Sequence, residues 1–200
     1  MKINVKPNQN SQMKKLLYLL FVPCTFVVLS GFAPIAGKLA SKNAHISFFS
    51  HTSVENITAN NYKVISTLET PTGVVAFSIP MQSFEFEKAL MQEHFNGKDF
   101  LNTKEFPKAK FEGKITNFAS IDFNQDGTYE AIISGNLTIK DVTRPLNVKG
   151  TITVKGDVVS AQSKFNLVLG DYGITFKKGK PSTNIAKEIE VSLNVDYKPE

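Results

Sequence analysis

The chain has 200 residues, 42% of them hydrophobic and 20% charged, a globular composition long enough for one domain plus a processed segment. Its single cysteine, Cys24, excludes a disulfide framework and a multi-cysteine metal site. The formal charge of +5 is concentrated at the front: Lys2, Lys6, Lys14 and Lys15 precede the first acid, Glu55, and without those four the count is 19 basic against 18 acidic residues, so a nucleic-acid footprint loses its main support.

Lys14 and Lys15 lead into an apolar run, Leu16 to Leu29, followed by the small-residue stretch Ser30 to Gly37. Basic, then apolar, then small is the order of a secretory signal peptide. It predicts a leader over residues 1–37, a mature start between about Ala33 and Asn43, and a periplasmic or secreted protein whose contact with membranes is transient. Leu16 to Gly37 is also long enough to span a bilayer, so a retained anchor is the alternative. Phe21-Val22-Pro23 before Cys24 makes a poor lipidation signal.

Weakly patterned strands are predicted at Ala44 to Phe49, Ser53 to Ala59, Tyr62 to Leu68 and Gly73 to Ile79. Phe84 to Phe95 reads as the one helix, with Ala89, Leu90, Met91, His94 and Phe95 at three- and four-residue spacings and Asn96-Gly97 as a stop. From Lys110 onward apolar residues alternate with polar ones, as in strands with one buried face. Phe111, Gly113 and Ile115 do so first, then Tyr129 to Ile139, Leu146 to Val154, Val159 to Leu169, and most clearly Ile189 to Tyr197. Asn124 to Gly127, Lys155 to Asp157 and a loop from Gly170 to Thr183 separate the runs. Within that loop Lys177-Lys178-Gly179-Lys180 reads as a solvated basic tip.

Eight or nine antiparallel strands with almost no helix to cover them must pack as two sheets or close on themselves, and the short amphipathic helix suits the end of a barrel. Gly113, Ala131, Gly135, Gly150, Ala161 and Ser163 share the parity of the large apolar residues. Small groups on an inner wall leave room for a ligand in an eight-stranded barrel; the competing reading is that they accommodate neighbouring phenylalanines.

Catalytic signals are weak. Glu93 and His94 are adjacent on the predicted helix and point about 100° apart. His45 and His51 lack metal-ligand spacing, and Asp99 and Glu105 flank a loop. No nucleophile elbow, P-loop or dinucleotide fingerprint occurs. The expectation is a protein that is not an enzyme and uses no metal or other cofactor.

Two segments carry a family resemblance. His94 to Leu101 followed by Phe106-Pro107-Lys108-Ala109-Lys110-Phe111-Glu112-Gly113 resembles the loop and strand of the YceI-like family, and Gly135-Asn136-Leu137-Thr138-Ile139-Lys140-Asp141-Val142-Thr143-Arg144-Pro145-Leu146 resembles that family's central strand pair, with Asp141 in place of a glycine. The similarity extends over roughly Gly73 to Asp196. It departs at the front, where Ala44 to Glu69 replaces the family's early basic motif, which leaves entrance geometry and ligand identity open. The resemblance implies an exported, all-β, antiparallel eight-stranded lipocalin-like barrel over residues 38–200. Its partner would be a long-chain isoprenoid or fatty-acid-like lipid. A homodimer stays open.

On that reading Leu90, Met91 and Phe95 close the barrel end, Phe100 brackets the loop and His94 supplies a polar contact at the rim. Phe111, Ile115, Ala131, Ile133, Leu137, Ala161, Phe165, Leu167, Val191 and Leu193 form the wall, with Ala131, Ile133 and Leu137 expected to face Phe165 and Leu167 across the lumen. The rivals are an outer-membrane barrel, a lipid-acting enzyme, and a structural or stress-related scaffold without ligand. The absence of Trp and the ending Tyr197-Lys198-Pro199-Glu200 count against the first, and the missing nucleophile motif against the second.

Overall fold

The computed structural model describes residues 1–2, 37–174 and 185–200. The predicted leader lies almost wholly outside the described residues, as does the basic tip at 177–180. No helix among the described residues is long and apolar enough to cross a membrane.

Among the described residues nine strands and one α-helix follow in chain order: β1 (Lys38–His51), β2 (Asn56–Glu69), β3 (Val74–Pro80), β4 (Glu85–Phe86), α1 (Ala89–Asn96), β5 (Lys108–Ile115), β6 (Gly127–Ile139), β7 (Val142–Lys155), β8 (Val158–Val168) and β9 (Glu188–Pro199). Every pairing is antiparallel, and β1 pairs with both β9 and β2, so eight strands close into an up-and-down barrel with the two-residue β4 added beside β2. Closure removes the free edges of an open sheet.

The front half differs from its sequence reading in three places. Strand pairing begins at Lys38, ahead of the predicted start at Ala44. The runs predicted at 53–59 and 62–68 belong to one strand, β2. In β1 the buried positions are Leu39 and Ser41, then Ala44 and Ser50, and pairing to β2 slips on either side of Ala44. Such bulges shift the two-residue alternation by one, which hides the strand from a period-two reading. The predicted helix at 84–95 is also shorter than expected: Phe84-Glu85-Phe86-Glu87 alternates, Phe86 pairs with Ala59, and the helix occupies only Ala89–Asn96.

Turn chemistry sets the hairpins. Lys140 and Asp141 both take positive φ, 50° and 61°, the two-residue left-handed turn that matches strand twist between β6 and β7. Asp tolerates that conformation better than most residues, which accounts for its place there.

One end of the barrel is closed by the 116–126 connection, whose Phe118 and Phe123 rings lie 5.8 Å apart, with Phe118 against Gly73 in the β2–β3 turn. Above this floor Tyr197 is buried, its hydroxyl 2.7 Å from that of Ser66. Ser66 donates its own proton to the Ala76 carbonyl, so Tyr197 is the donor of the pair. Burial pushes the Tyr197 phenol pKa far up from 10.0.

Candidate ligand-binding site

A cavity of about 990 Å³ fills the barrel from this floor to the α1 end. It lies at the upper end of the range for small-molecule sites. Among the described residues its wall is largely apolar, and the charged ones that line it gather near α1, where Glu55, Lys88, Glu93, Lys98 and Asp99 ring the mouth together with His94.

The mouth is plugged. Phe95 of α1 is buried among Phe48, Phe84, Phe86 and Phe100, with ring centroids 5.0 to 6.1 Å away. Eight residues are too few for a helix to persist alone in water, so α1 owes its order to this cluster. Lys88, just before α1, reaches Glu55 between β1 and β2 at 2.8 Å, and this partner holds its pKa above the usual lysine value. Lys140 at the β6–β7 turn donates to the Phe100 carbonyl at 2.7 Å.

All fifteen residues expected at the site from sequence line this one cavity. Their arrangement differs from expectation in three respects. First, β6 and β8 flank β7, so Ala131, Ile133 and Leu137 stand beside Phe165 and Leu167 on one side of the wall; strand order places β1 opposite β6. Second, Leu90 remains 61% exposed and covers little of the plug. Third, the small inward residues have separate uses. Gly113 and Gly135 pair directly, and the Phe111 ring folds over both, so those two positions hold a side chain, as the competing reading proposed. Gly150 lets β8 approach closely, since a Cβ there would meet the Gln162 carbonyl at 2.6 Å. Ala161 and Ser163 are half-buried on the wall, whereas Ala131 is fully buried.

Sequence reasoning left out Phe48 of β1, Phe77 of β3, Leu146 and Val148 of β7, and Tyr197. The signal existed for Leu146 and Val148, which share the inward parity of Ile152, and for Phe48, which shares the parity of Ala44 and Ile46 although neighbouring Phe49 blurs the alternation.

Among the described residues the lumen is lined mainly by apolar side chains, and two of the three histidines lie away from it. His45 stacks on Tyr62 with centroids 4.4 Å apart and contacts Asn60, while His51 contacts Asn56 beside the β1–β2 turn. Among the described residues no group of three or more His, Cys, Asp or Glu is placed to hold a metal ion.

A closed antiparallel barrel with one end plugged by a short helix and an apolar interior defines a binding-type, lipocalin-like barrel. The sequence model of the YceI-like domain matches residues 31–197, and the chain belongs to that family. A UPF0312 protein of Yersinia pestis is 32% identical over 124 residues, covering 59% of this chain and 58% of the relative, and one of Shewanella oneidensis is 29% identical over 115 residues. The alignments thus span little more than half of those relatives' lengths.

Among solved structures, a polyisoprenoid-binding domain from Saccharophagus degradans superposes with a TM-score of 0.70 at 11% identity, covering 82% of this chain and 99% of that one. BcnA of Burkholderia cenocepacia gives 0.65 at 17% identity, covering 78% and 96%. These two share the fold.

Proposed function

We propose that the protein is an exported carrier that holds one long apolar chain, isoprenoid or acyl, inside the barrel, and that it catalyses no reaction. The observation that carries this reading is the apolar lumen of about 990 Å³. Burial contributes about 0.8 kcal/mol per CH₂, so a chain of several isoprene units needs no strong polar contact to bind. The polyisoprenoid-binding description of the Saccharophagus relative favours an isoprenoid. His94 and Asp99 at the mouth would select among head groups more than supply affinity. Export follows from the leader-like segment at 1–37, with residues 38–200 as the mature barrel.

Native mass spectrometry of the purified exported protein, followed by organic extraction, tests the reading. One lipid per barrel is expected. An empty lumen after gentle purification, with no uptake of added lipid, would leave the ligand-free scaffold in its place.

A further inference from the structure

The barrel wall is not zipped along its whole circumference. β7 begins at Val142 and β8 runs to Val168, yet their ladder covers only Gly150–Lys155 against Val158–Ser163. Beyond Gly150 and Ser163, toward the mouth, β7 stays paired to β6 and β8 to β9, but no described residue pairs β7 with β8. The opening has defined ends. At its base Ser163 Oγ donates to the Lys149 carbonyl at 2.7 Å, and at its top Arg144 Nε donates to the Asp171 carbonyl at 3.0 Å. The step from Arg144 to Gly150 corresponds to roughly 20 Å of strand.

Three further observations mark this as an aperture into the lumen. Thr151 and Gln162, exposed on the outer face, also line the central cavity, so the cavity reaches through the wall at the base of the slot. Lys149 and Lys164 turn away from the slot to either side, to Glu130 of β6 at 3.3 Å and Glu190 of β9 at 2.8 Å. Pro145 sits within β7, and a residue without an N–H suits a strand paired on one side only.

We propose that the slot between β7 and β8 is a lateral portal through which the apolar chain of an amphiphilic lipid enters the lumen, its polar end remaining between the two strands. This rests on the lumen-binding reading above. Entry past α1 runs by the packed ring of Phe95 and the Lys88–Glu55 pair, whereas entry through the slot breaks no ladder bond between β7 and β8.

The test compares two staples in full-length protein carrying Cys24→Ser. Asn147→Cys with Asn166→Cys, opposite each other by extension of the ladder, bridges the slot; Glu55→Cys with Lys88→Cys bridges the mouth. Each pair is joined as a disulfide, or by a cleavable bis-maleimide if the thiols do not meet. Transfer of an anthraniloyl-tagged geranylgeranyl lipid from phosphatidylcholine vesicles is then followed by fluorescence. The slot staple is expected to slow uptake at least about tenfold, with recovery on cleavage and an unchanged final affinity, and the mouth staple to leave the rate within about twofold. Unslowed uptake with the slot bridged, or slowing by the mouth staple alone, overturns the portal and leaves lumen binding intact. No uptake by the unstapled protein overturns both.

Discussion

Tyr197 buries a phenol between the barrel floor and the lumen, and Ser66 accepts its only proton. Burial disfavours the phenolate, so the folded pKa lies above the ordinary 10.0 at which the unfolded group ionises. A raised pKa of this kind contributes stability that is fully present below pH 10.0 and is lost as pH climbs toward the folded value. Tyr197→Phe should therefore cost about 0.5–1.5 kcal/mol near neutrality, for the lost hydrogen bond, and should lose less stability than the parent above about pH 10. Urea midpoints measured across that range check it; parallel curves for the two proteins would refute the linkage. Gly135 gives a second residue-scale prediction. A Cβ there would meet the Glu112 carbonyl, the Gly113 Cα at 2.6 Å and the Phe111 ring at 2.7 Å. Two of those neighbours are backbone and cannot swing away, so Gly135→Ala should destabilise by about 1–3 kcal/mol, read from a thermal or denaturant midpoint. The inward parity of Gly135 was visible in the alternation; that a ring from β5 occupies its space was not, because it depends on which residue register places opposite.

At the scale of elements, α1 is a plug with one buried side chain, Phe95. Phe95→Ala removes a ring packed among four others, a change that typically costs about 3–5 kcal/mol where a buried Phe is lost. Since α1 has little stability of its own, its amides should exchange rapidly in the variant while those of β6 and β7 keep their protection. Hydrogen exchange resolved by segment tests this, and unchanged protection over 89–96 would show that another contact holds the plug. Elements were legible where one period acted alone. β9 alternates without interruption and stands where expected, from Glu188 to Pro199. Phe84 to Phe95 carried two periods at once, the alternation of Phe84 and Phe86 and the helical spacing from Ala89, and strand pairing to β2 took the first. Pro145 was the available clue to the unpaired side of β7, but a single proline does not say which neighbour is missing.

For the whole molecule, strand number and the scarcity of helix required either two packed sheets or closure, and the structure closes through the β1–β2 pair. What lies inside was less legible: alternation assigns a residue to the inner face without saying whether that face is open or filled. Gly135 and Ala161 share a parity, yet one lies under a ring and the other borders the cavity. That contrast selects the variant for testing the lumen. Ala131 is fully buried, so a larger side chain there would strain the wall. Ala161 is half-buried on the lumen face, two residues from the base of the slot, and Phe in its place should project into the space a ligand would occupy. Ala161→Phe is expected to keep the parent's circular dichroism and melting temperature within a few degrees while the lipid recovered on extraction falls at least about fivefold. Glu130→Phe adds the same ring to an exposed position on the outer face of β6 and should leave recovery unchanged. Equal recovery from the folded Ala161→Phe variant and the parent would place the ligand elsewhere. Loss from Glu130→Phe as well would point to a surface effect, because only the inner of these two positions borders the lumen.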